Sequence, residues 1–256
     1  MRGAWGGSGL PVVLIHGQPG SAGDWDRLRD ELPDVRVLAP DRPGYDGSPA
    51  CDFAGNARLL SELLVSTGVE RAVLVGHSWG GGVALQMALD HPEQVAGLCL
   101  VSSIGSRLAW TWWDRVMAQP GLAQASAVAV VCTPAVAPRL VALATGSRLP
   151  EHELAQVRAQ GHHWRRGGAI RAFVAEQRVL VRHGQELAAR LGEVTVPTLV
   201  VTGDRDRTVT PRAAADLARA LPRGQLLTVP GGHLLLREQP QLVARAVRRV
   251  VADADW

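Results

Sequence analysis

Lysine is absent from the 256-residue chain, so all 27 of its Lys and Arg positions are arginines. A phosphate-binding loop of the kind that needs a lysine is therefore excluded. The arginines are dispersed, and 24 acidic residues leave a formal net charge of only +3. Because nucleic-acid binding needs a concentrated basic surface, we expect no nucleic-acid partner.

Cysteines are few and long apolar runs are missing. The 3 cysteines are widely spaced and fit neither a disulfide framework nor a zinc site. No stretch reaches the roughly 18 apolar residues that span a membrane, and residues 1–7 lack the apolar core of a secretory signal. We therefore expect a cytoplasmic protein with no membrane partner.

Short runs of β-branched residues alternate with longer helical stretches along most of the chain. Strands are predicted at 12–15, 35–39, 71–75, 95–101, 197–202 and 225–229, and helices at 24–32, 56–67, 78–90, 169–191, 211–221 and 239–251. The strands are apolar on both faces, which is typical of a parallel sheet covered by helices on both sides. The pattern predicts one α/β domain.

The alternation breaks between residues 104 and 168, a segment with several prolines and no convincing strand. We interpret it as a helical lid, and residues 1–103 and 169–256 as the core. Its tryptophans either anchor the lid to the core or form an apolar pocket for an acyl or alcohol group. The candidate pocket residues are Trp110, Trp113 and Trp164.

Ser78 lies in Gly76-His77-Ser78-Trp79-Gly80, between a predicted strand and a predicted helix. A sharp strand-to-helix turn exposes a serine hydroxyl at a helix N-terminus, which favours developing negative charge. The small residues of the motif let the neighbouring backbone come close to Ser78. The sequence therefore predicts Ser78 as a nucleophile.

A serine hydroxyl needs a base, and the base needs a carboxylate that orients it. His233 follows the last strand in a glycine-rich turn, and Asp204 and Asp206 follow the strand before it. Either aspartate could serve on these grounds. The order serine, aspartate, histidine is the one expected for this architecture.

Attack on a carbonyl also needs donors for the oxyanion. We expect one from the backbone N–H of Trp79, directly after the nucleophile. The other is predicted from Gln18 in the loop after the first strand, because Pro19 has no N–H to give. His16 and His77 are interpreted as structural hydrogen-bonding residues.

Five motifs in this order resemble the α/β-hydrolase superfamily, in particular its lidded branch of esterases, haloperoxidases and epoxide hydrolases. They are His16-Gly17-Gln18-Pro19-Gly20-Ser21, Asp41-Arg42-Pro43-Gly44-Tyr45, Gly76-His77-Ser78-Trp79-Gly80-Gly81, Pro197-Thr198-Leu199-Val200 leading to Gly203-Asp204-Arg205-Asp206, and Gly231-Gly232-His233. The resemblance covers nearly the whole chain. It implies an α/β-hydrolase fold, a mostly parallel sheet with the lid inserted after the sixth strand of the family order.

The resemblance also assigns roles. In similar sequences the acid is the second aspartate of the turn, which here is Asp206, and Asp204 then shapes the turn. Similar epoxide hydrolases and haloalkane dehalogenases use an aspartate nucleophile, so Ser78 makes those reactions unexpected. Related chains form two further strands before the His-Gly motif, whereas fifteen residues precede His16 here. We therefore expect a reduced N-terminal edge of the sheet.

Together these features predict a serine hydrolase that cleaves an ester, thioester or lactone with an apolar acyl or alcohol group through an acyl-enzyme on Ser78. The expected partner is a small-molecule acyl substrate. No cofactor and no metal are implied, since the adjacent His162 and His163 would point apart on a helix. Two alternatives stay open: a hydrolase of C–C or amide bonds with the same triad, and a weakly catalytic ligand-binding protein.

Overall fold

A computed structural model describes residues 5–109, 119, 121, 137–157 and 167–256. Within these residues six strands form one sheet in the order β2-β1-β3-β4-β5-β6, and every neighbouring pair is parallel. The strands are β1 Pro11–Ile15, β2 Arg36–Leu38, β3 Ala72–His77, β4 Val95–Val101, β5 Thr198–Gly203 and β6 Gly224–Val229. The predicted parallel sheet is confirmed.

The described helices connect these strands and cover the sheet. They are α1 Asp26–Asp30, α2 Phe53–Ser66, α3 Trp79–Asp90, α4 Ala137–Ala144, α5 Gly167–Ala189, α6 Pro211–Ala220, α7 Leu235–Glu238 and α8 Pro240–Asp253. Residues 151–157 are also helical. The helix predicted at 24–32 is instead a 3-10 turn at Ala22–Trp25 followed by the short α1.

Strands β3, β4 and β5 are buried on both faces, as their apolar sequences predicted, whereas the edge strand β6 is largely exposed. On β1, Val13 and Ile15 pack into one hydrophobic cluster, whereas Val12 and Leu14 pack into another on the opposite face. This alternation follows from the two-residue period of a strand. The result is a three-layer core, in which a rigid sheet holds the loops at its carboxyl edge.

The N-terminal edge of the sheet is short. Strand β2 has three residues, and beyond it Gly6 makes an isolated antiparallel bridge with Val37. The two backbone hydrogen bonds of this bridge measure 2.9 and 2.7 Å. This agrees with the reduced edge expected from the sequence.

The predicted lid lies partly outside the described residues, so its boundaries stay a prediction. Of this segment, residues 104–109, 119, 121, 137–157 and 167–168 are described, including α4 and the helical residues 151–157. None of the helices in the described part of the chain is both long and apolar enough to cross a membrane.

Candidate active site

Ser78 occupies the sharp turn between β3 and α3. Its backbone has φ 52° and ψ −118°, in the left-handed half of φ that side chains other than glycine rarely adopt. Gly80 is packed so closely against the end of β1 that a Cβ there would lie 2.1 Å from the carbonyl oxygen of Ile15. The turn is therefore held by the sheet, and it places Ser78 at the N-terminus of α3.

Three of the predicted side chains form a hydrogen-bonded series. Nε2 of His233 lies 3.1 Å from Oγ of Ser78, and Nδ1 of His233 lies 2.9 Å from Oδ2 of Asp206. All three residues are at least nine-tenths buried. A carboxylate accepts at Nδ1, so this nitrogen carries the proton and Nε2 is left to accept the proton of Ser78.

The two aspartates of the β5 turn have different surroundings. Oδ1 of Asp206 accepts the backbone N–H groups of Thr208 and Val209, both at 2.9 Å, which orients Oδ2 toward His233. The Asp204 side chain is half exposed and accepts the N–H of Gly231 at 2.9 Å. The geometry thus supports the choice of Asp206, with Asp204 holding the glycine turn before His233.

The backbone of His233 is fixed on both sides. Its N–H donates to the carbonyl of Thr145 at 3.1 Å, and its carbonyl accepts from Nε2 of His77 at 3.0 Å. Burial, with His233 nearby, lowers the pKa of His77 to about 3. His77 is therefore a neutral donor at ordinary pH, in line with the structural interpretation.

The loop after β1 passes directly beside the nucleophile. A Cβ on Gly17 would lie 3.1 Å from Cβ of Ser78. Nδ1 of His16 donates to the carbonyl of Gly17 at 2.9 Å, and its Nε2 accepts the N–H of Arg42 at 3.0 Å. Burial, and next the charge of Arg42, lower the pKa of His16 well below 6.5, so this ring is neutral as well.

The predicted oxyanion donors make no hydrogen bond to the part of the chain that the structure describes. Among the described residues, neither the backbone N–H of Gln18 nor that of Trp79 donates to a protein acceptor. Trp79 begins α3, and Gln18 is joined to Pro19 by a cis peptide bond. The role of both N–H groups as oxyanion donors stays a prediction.

A buried ion pair next to this loop was not predicted. Arg42 and Glu176 are both fully buried, and Nη1 of Arg42 bonds Oε1 of Glu176. The hydroxyl of Tyr45 donates to Oε2 of Glu176 at 2.7 Å. One signal was available: Glu176 shares a helix face with the buried Ala172 and Leu180, four residues away on either side.

A turn between α4 and residue 151 also contacts the site, which the sequence did not reveal. The carbonyl of Thr145 accepts the N–H of Arg207 at 3.4 Å in addition to that of His233. Oγ of Ser147 accepts the N–H of Leu234 at 3.0 Å. This turn therefore joins the loop that carries the acid to the loop that carries the histidine.

The tryptophans predicted to line the substrate pocket have no described position. Trp110, Trp113 and Trp164 lie outside the described residues, as do His162 and His163. Within the described ranges, no group of three or more His, Cys, Asp or Glu side chains could hold a metal ion.

Comparison with known proteins agrees with this architecture. A family model for the alpha/beta hydrolase fold matches residues 11–240. A 2-hydroxymuconate semialdehyde hydrolase of Pseudomonas putida is 32% identical over 267 residues, covering 97% of this chain and 89% of that protein. Haloalkane dehalogenase 2 of Mycobacterium tuberculosis is 27% identical, with coverage of 94% and 87%. A thermophilic esterase from Thermogutta terrifontis superposes with a TM-score of 0.68 at 26% identity, covering 98% of this chain and 92% of that one.

The chain therefore belongs to the α/β-hydrolase family. These relatives support an enzyme with hydrolase activity.

Proposed function

We propose that the chain is a serine hydrolase that cleaves a carboxylic ester, thioester or lactone through an acyl-enzyme on Ser78. The observation that carries the proposal is the hydrogen-bonded series from Asp206 through His233 to Ser78, at 2.9 and 3.1 Å. A buried carboxylate, an imidazole and a hydroxyl in this order activate a serine for attack on a carbonyl carbon.

The reaction proceeds in two halves. Nε2 of His233 takes the proton of Ser78 as Oγ attacks the carbonyl, and the N–H groups of Gln18 and Trp79 stabilise the oxyanion. His233 then protonates the leaving alcohol or thiol, and the acyl group stays on Ser78. Water, deprotonated by the same imidazole, releases the acid, while Asp206 stabilises the imidazolium in both halves.

Serine chemistry favours acyl transfer over displacement at an alkyl carbon. The relative named a haloalkane dehalogenase is 27% identical, and the structural neighbour named an esterase is 26% identical. These sequence identities do not distinguish ester hydrolysis from dehalogenation, whereas the identity of the nucleophile does. An activated hydroxyl adds to a carbonyl, and we therefore propose the ester reaction rather than dehalogenation.

A C–C hydrolase is the second candidate, because the semialdehyde hydrolase of Pseudomonas putida is 32% identical over nearly the whole chain. The same triad and oxyanion donors suit carbonyl addition to a diketone-like substrate. The two candidates differ in substrate contacts from the proposed lid, for which Trp110, Trp113 and Trp164 are our candidates. We propose that these contacts accept an apolar acyl or alcohol group.

The test is an activity screen with purified protein on aryl esters of graded acyl length, thioesters, lactones and 2-hydroxymuconate semialdehyde. We expect ester turnover, and a decrease in kcat/KM of about 10⁴-fold or more in Ser78→Ala. A higher kcat/KM for the semialdehyde than for any ester would favour the second candidate. Wild-type activity in Ser78→Ala would refute the mechanism for both.

Ser102→Ala is a matched control. Ser102 also follows a sheet strand, is fully buried and has a positive φ of 45°. We expect its activity within a few-fold of the wild type. A fluorophosphonate probe should label one serine per chain in the wild type and none in Ser78→Ala; labelling without multiple turnovers would indicate a binding protein on this fold.

A further inference from the structure

The guanidinium of Arg42 bonds the backbone of the loop beside the nucleophile. Its Nε donates to the carbonyl of His16 at 2.8 Å, and its Nη2 donates to the carbonyl of Gly17 at 2.8 Å. The Gly17 carbonyl accepts a second bond from Nδ1 of His16 at 2.9 Å. One carbonyl thus receives two donors, one of which is a permanent cation.

That carbonyl belongs to the same peptide group as the N–H of Gln18. The peptide between Gly17 and Gln18 is trans, because the cis bond of this loop is the next one, between Gln18 and Pro19. In a trans peptide the C=O and N–H point in opposite directions. Donors fixed on the carbonyl therefore orient the N–H away from Arg42, and their pull on the carbonyl oxygen polarises the N–H into a stronger donor.

The same guanidinium contacts the residue that carries the other predicted donor. Cζ of Arg42 lies 4.4 Å from the centroid of the Trp79 indole, a cation–π distance. Glu176 and Tyr45 hold the far side of this arrangement. Burial raises the pKa of Tyr45 well above 10, so its hydroxyl remains a donor.

We propose that Arg42 is a positioning residue for the oxyanion hole, which orients and polarises the Gln18 N–H and fixes Trp79, with Glu176 of α5 as its anchor. This inference rests on the proposed function, because it concerns the donor that the proposed mechanism uses. It goes further by assigning a role in the transition state to a residue that does not touch the substrate.

A purely structural ion pair is the competing explanation. A buried Arg–Glu pair is weak grounds for stability, since desolvation offsets much of the attraction. Nε and Nη2 of Arg42 make their shorter bonds, 2.8 Å each, to loop carbonyls, and Nη2 lies 3.5 Å from Oε2 of Glu176. A structural role predicts lost stability with normal kinetics, whereas a positioning role predicts a lower kcat in protein that is folded.

The experiment compares Arg42→Met/Glu176→Gln, which removes both charges together, with the wild type on an aryl ester. We expect kcat to fall about 10- to 100-fold with KM within threefold, less than the loss of a whole oxyanion donor because the N–H remains. The inhibition constant of a trifluoromethyl ketone should rise by a similar factor. In that complex Oγ of Ser78 bonds the ketone carbon, its proton passes to His233, and the carbonyl oxygen becomes the oxyanion.

Two further variants keep the test decisive. Leu64→Ala loses packing in the core, where Leu64 is fully buried on α2, and should lower the melting temperature without changing kcat. Arg42→Lys keeps the charge against Glu176 but has no fork to bond both carbonyls, so kcat should fall here too. If the double variant does not fold, Arg42→Lys carries the test.

The outcomes separate the inference from the proposed function. If Ser78→Ala keeps its activity, the proposed function fails and the inference fails with it. If Ser78→Ala is inactive but the folded Arg42 variants keep the wild-type kcat and ketone inhibition, only the role of Arg42 is wrong. A fall in kcat without weaker ketone inhibition would also overturn it.

Discussion

Replacement of Asp206 by asparagine changes the proposed base without changing the shape of the site. Oδ1 of Asp206 accepts the N–H groups of Thr208 and Val209 at 2.9 Å each, and the asparagine carbonyl oxygen would keep both bonds. In the wild type Nδ1 of His233 donates to Oδ2 of Asp206. In the variant it faces the amide nitrogen of asparagine, which is itself a donor. Nδ1 must now accept, so the imidazole proton moves to Nε2, which faces Ser78.

The magnitude follows from this tautomer. With a proton on Nε2 the imidazole donates to Ser78 and cannot take its proton, and the carboxylate no longer stabilises the imidazolium. A triad that is altered in this way loses about 10⁴-fold in kcat, which corresponds to roughly 5.5 kcal/mol of transition-state stabilisation. The two retained N–H bonds leave the loop in place, so stability should change by less than about 1 kcal/mol.

The assay measures kcat and KM on the best aryl ester, with urea unfolding to confirm the fold. Asp204→Asn is the matched control: Asp204 accepts the N–H of Gly231 at 2.9 Å through an oxygen that asparagine retains, whereas Nδ1 of His233 bonds Asp206. We expect the control to stay within a few-fold of the wild type. Equal losses in both variants, or a folded Asp206→Asn with normal kcat, would refute the assignment of Asp206.

Two further predictions concern the support of His233. The pKa of His77 is about 3 in the folded protein and near 6.5 when unfolded. The unfolded chain therefore binds more protons below pH 6.5, and stability falls as pH decreases from 6.5 toward 3. The decrease in the free energy of unfolding between pH 6.5 and 5 should be smaller by about 1.6 kcal/mol in His77→Gln. An equal pH dependence of the free energy of unfolding in both proteins, measured with urea, would contradict this. Gly146 has φ 72°, and a Cβ there would lie 1.9 Å from the carbonyl oxygen of Arg205. Gly146→Ala should displace the Thr145 carbonyl and lower kcat about tenfold, roughly 1.4 kcal/mol; a shifted turn with unchanged kcat, by crystallography and ester assay, would show that the turn does not position His233.

The parts of the structure that the sequence predicted are those with local signals. Strand β4 has the bounds that the sequence predicts, because polar residues flank its apolar run on both sides. The turn at Ser78 was predicted because the glycines two residues before and after the serine indicate where neighbouring backbone must pack closely against the turn. Helix α2 begins three residues before its prediction, since Asp52 caps it by accepting the N–H of Gly55 at 2.8 Å.

The parts that the sequence missed depend on contacts between distant residues. Arg42 and Glu176 are 134 positions apart, and no local sequence pattern around either residue indicates that the two are paired. Thr145 acts through its backbone carbonyl, which every residue has, so no side-chain pattern reveals it. In each contact one partner, Glu176 or Thr145, lies outside the motifs, where the sequence carries no local signal of the contact.

These missed contacts share one origin, the segment between β4 and β5. Through Thr145 it holds the loops of the proposed acid and base, and through Glu176 it anchors the arginine that bonds the loop of the proposed oxyanion donor. Thr145 belongs to the proposed lid, which we expect to select the substrate, whereas Glu176 belongs to the core helix α5. The lid and the core thus both support the geometry of the reaction. Changes in the lid that keep these two residues in place are free to alter substrate choice, because the triad and the donor loop keep their supports. Changes that remove either one should lower the rate for every substrate, since the transition state loses stabilisation that no substrate contact replaces.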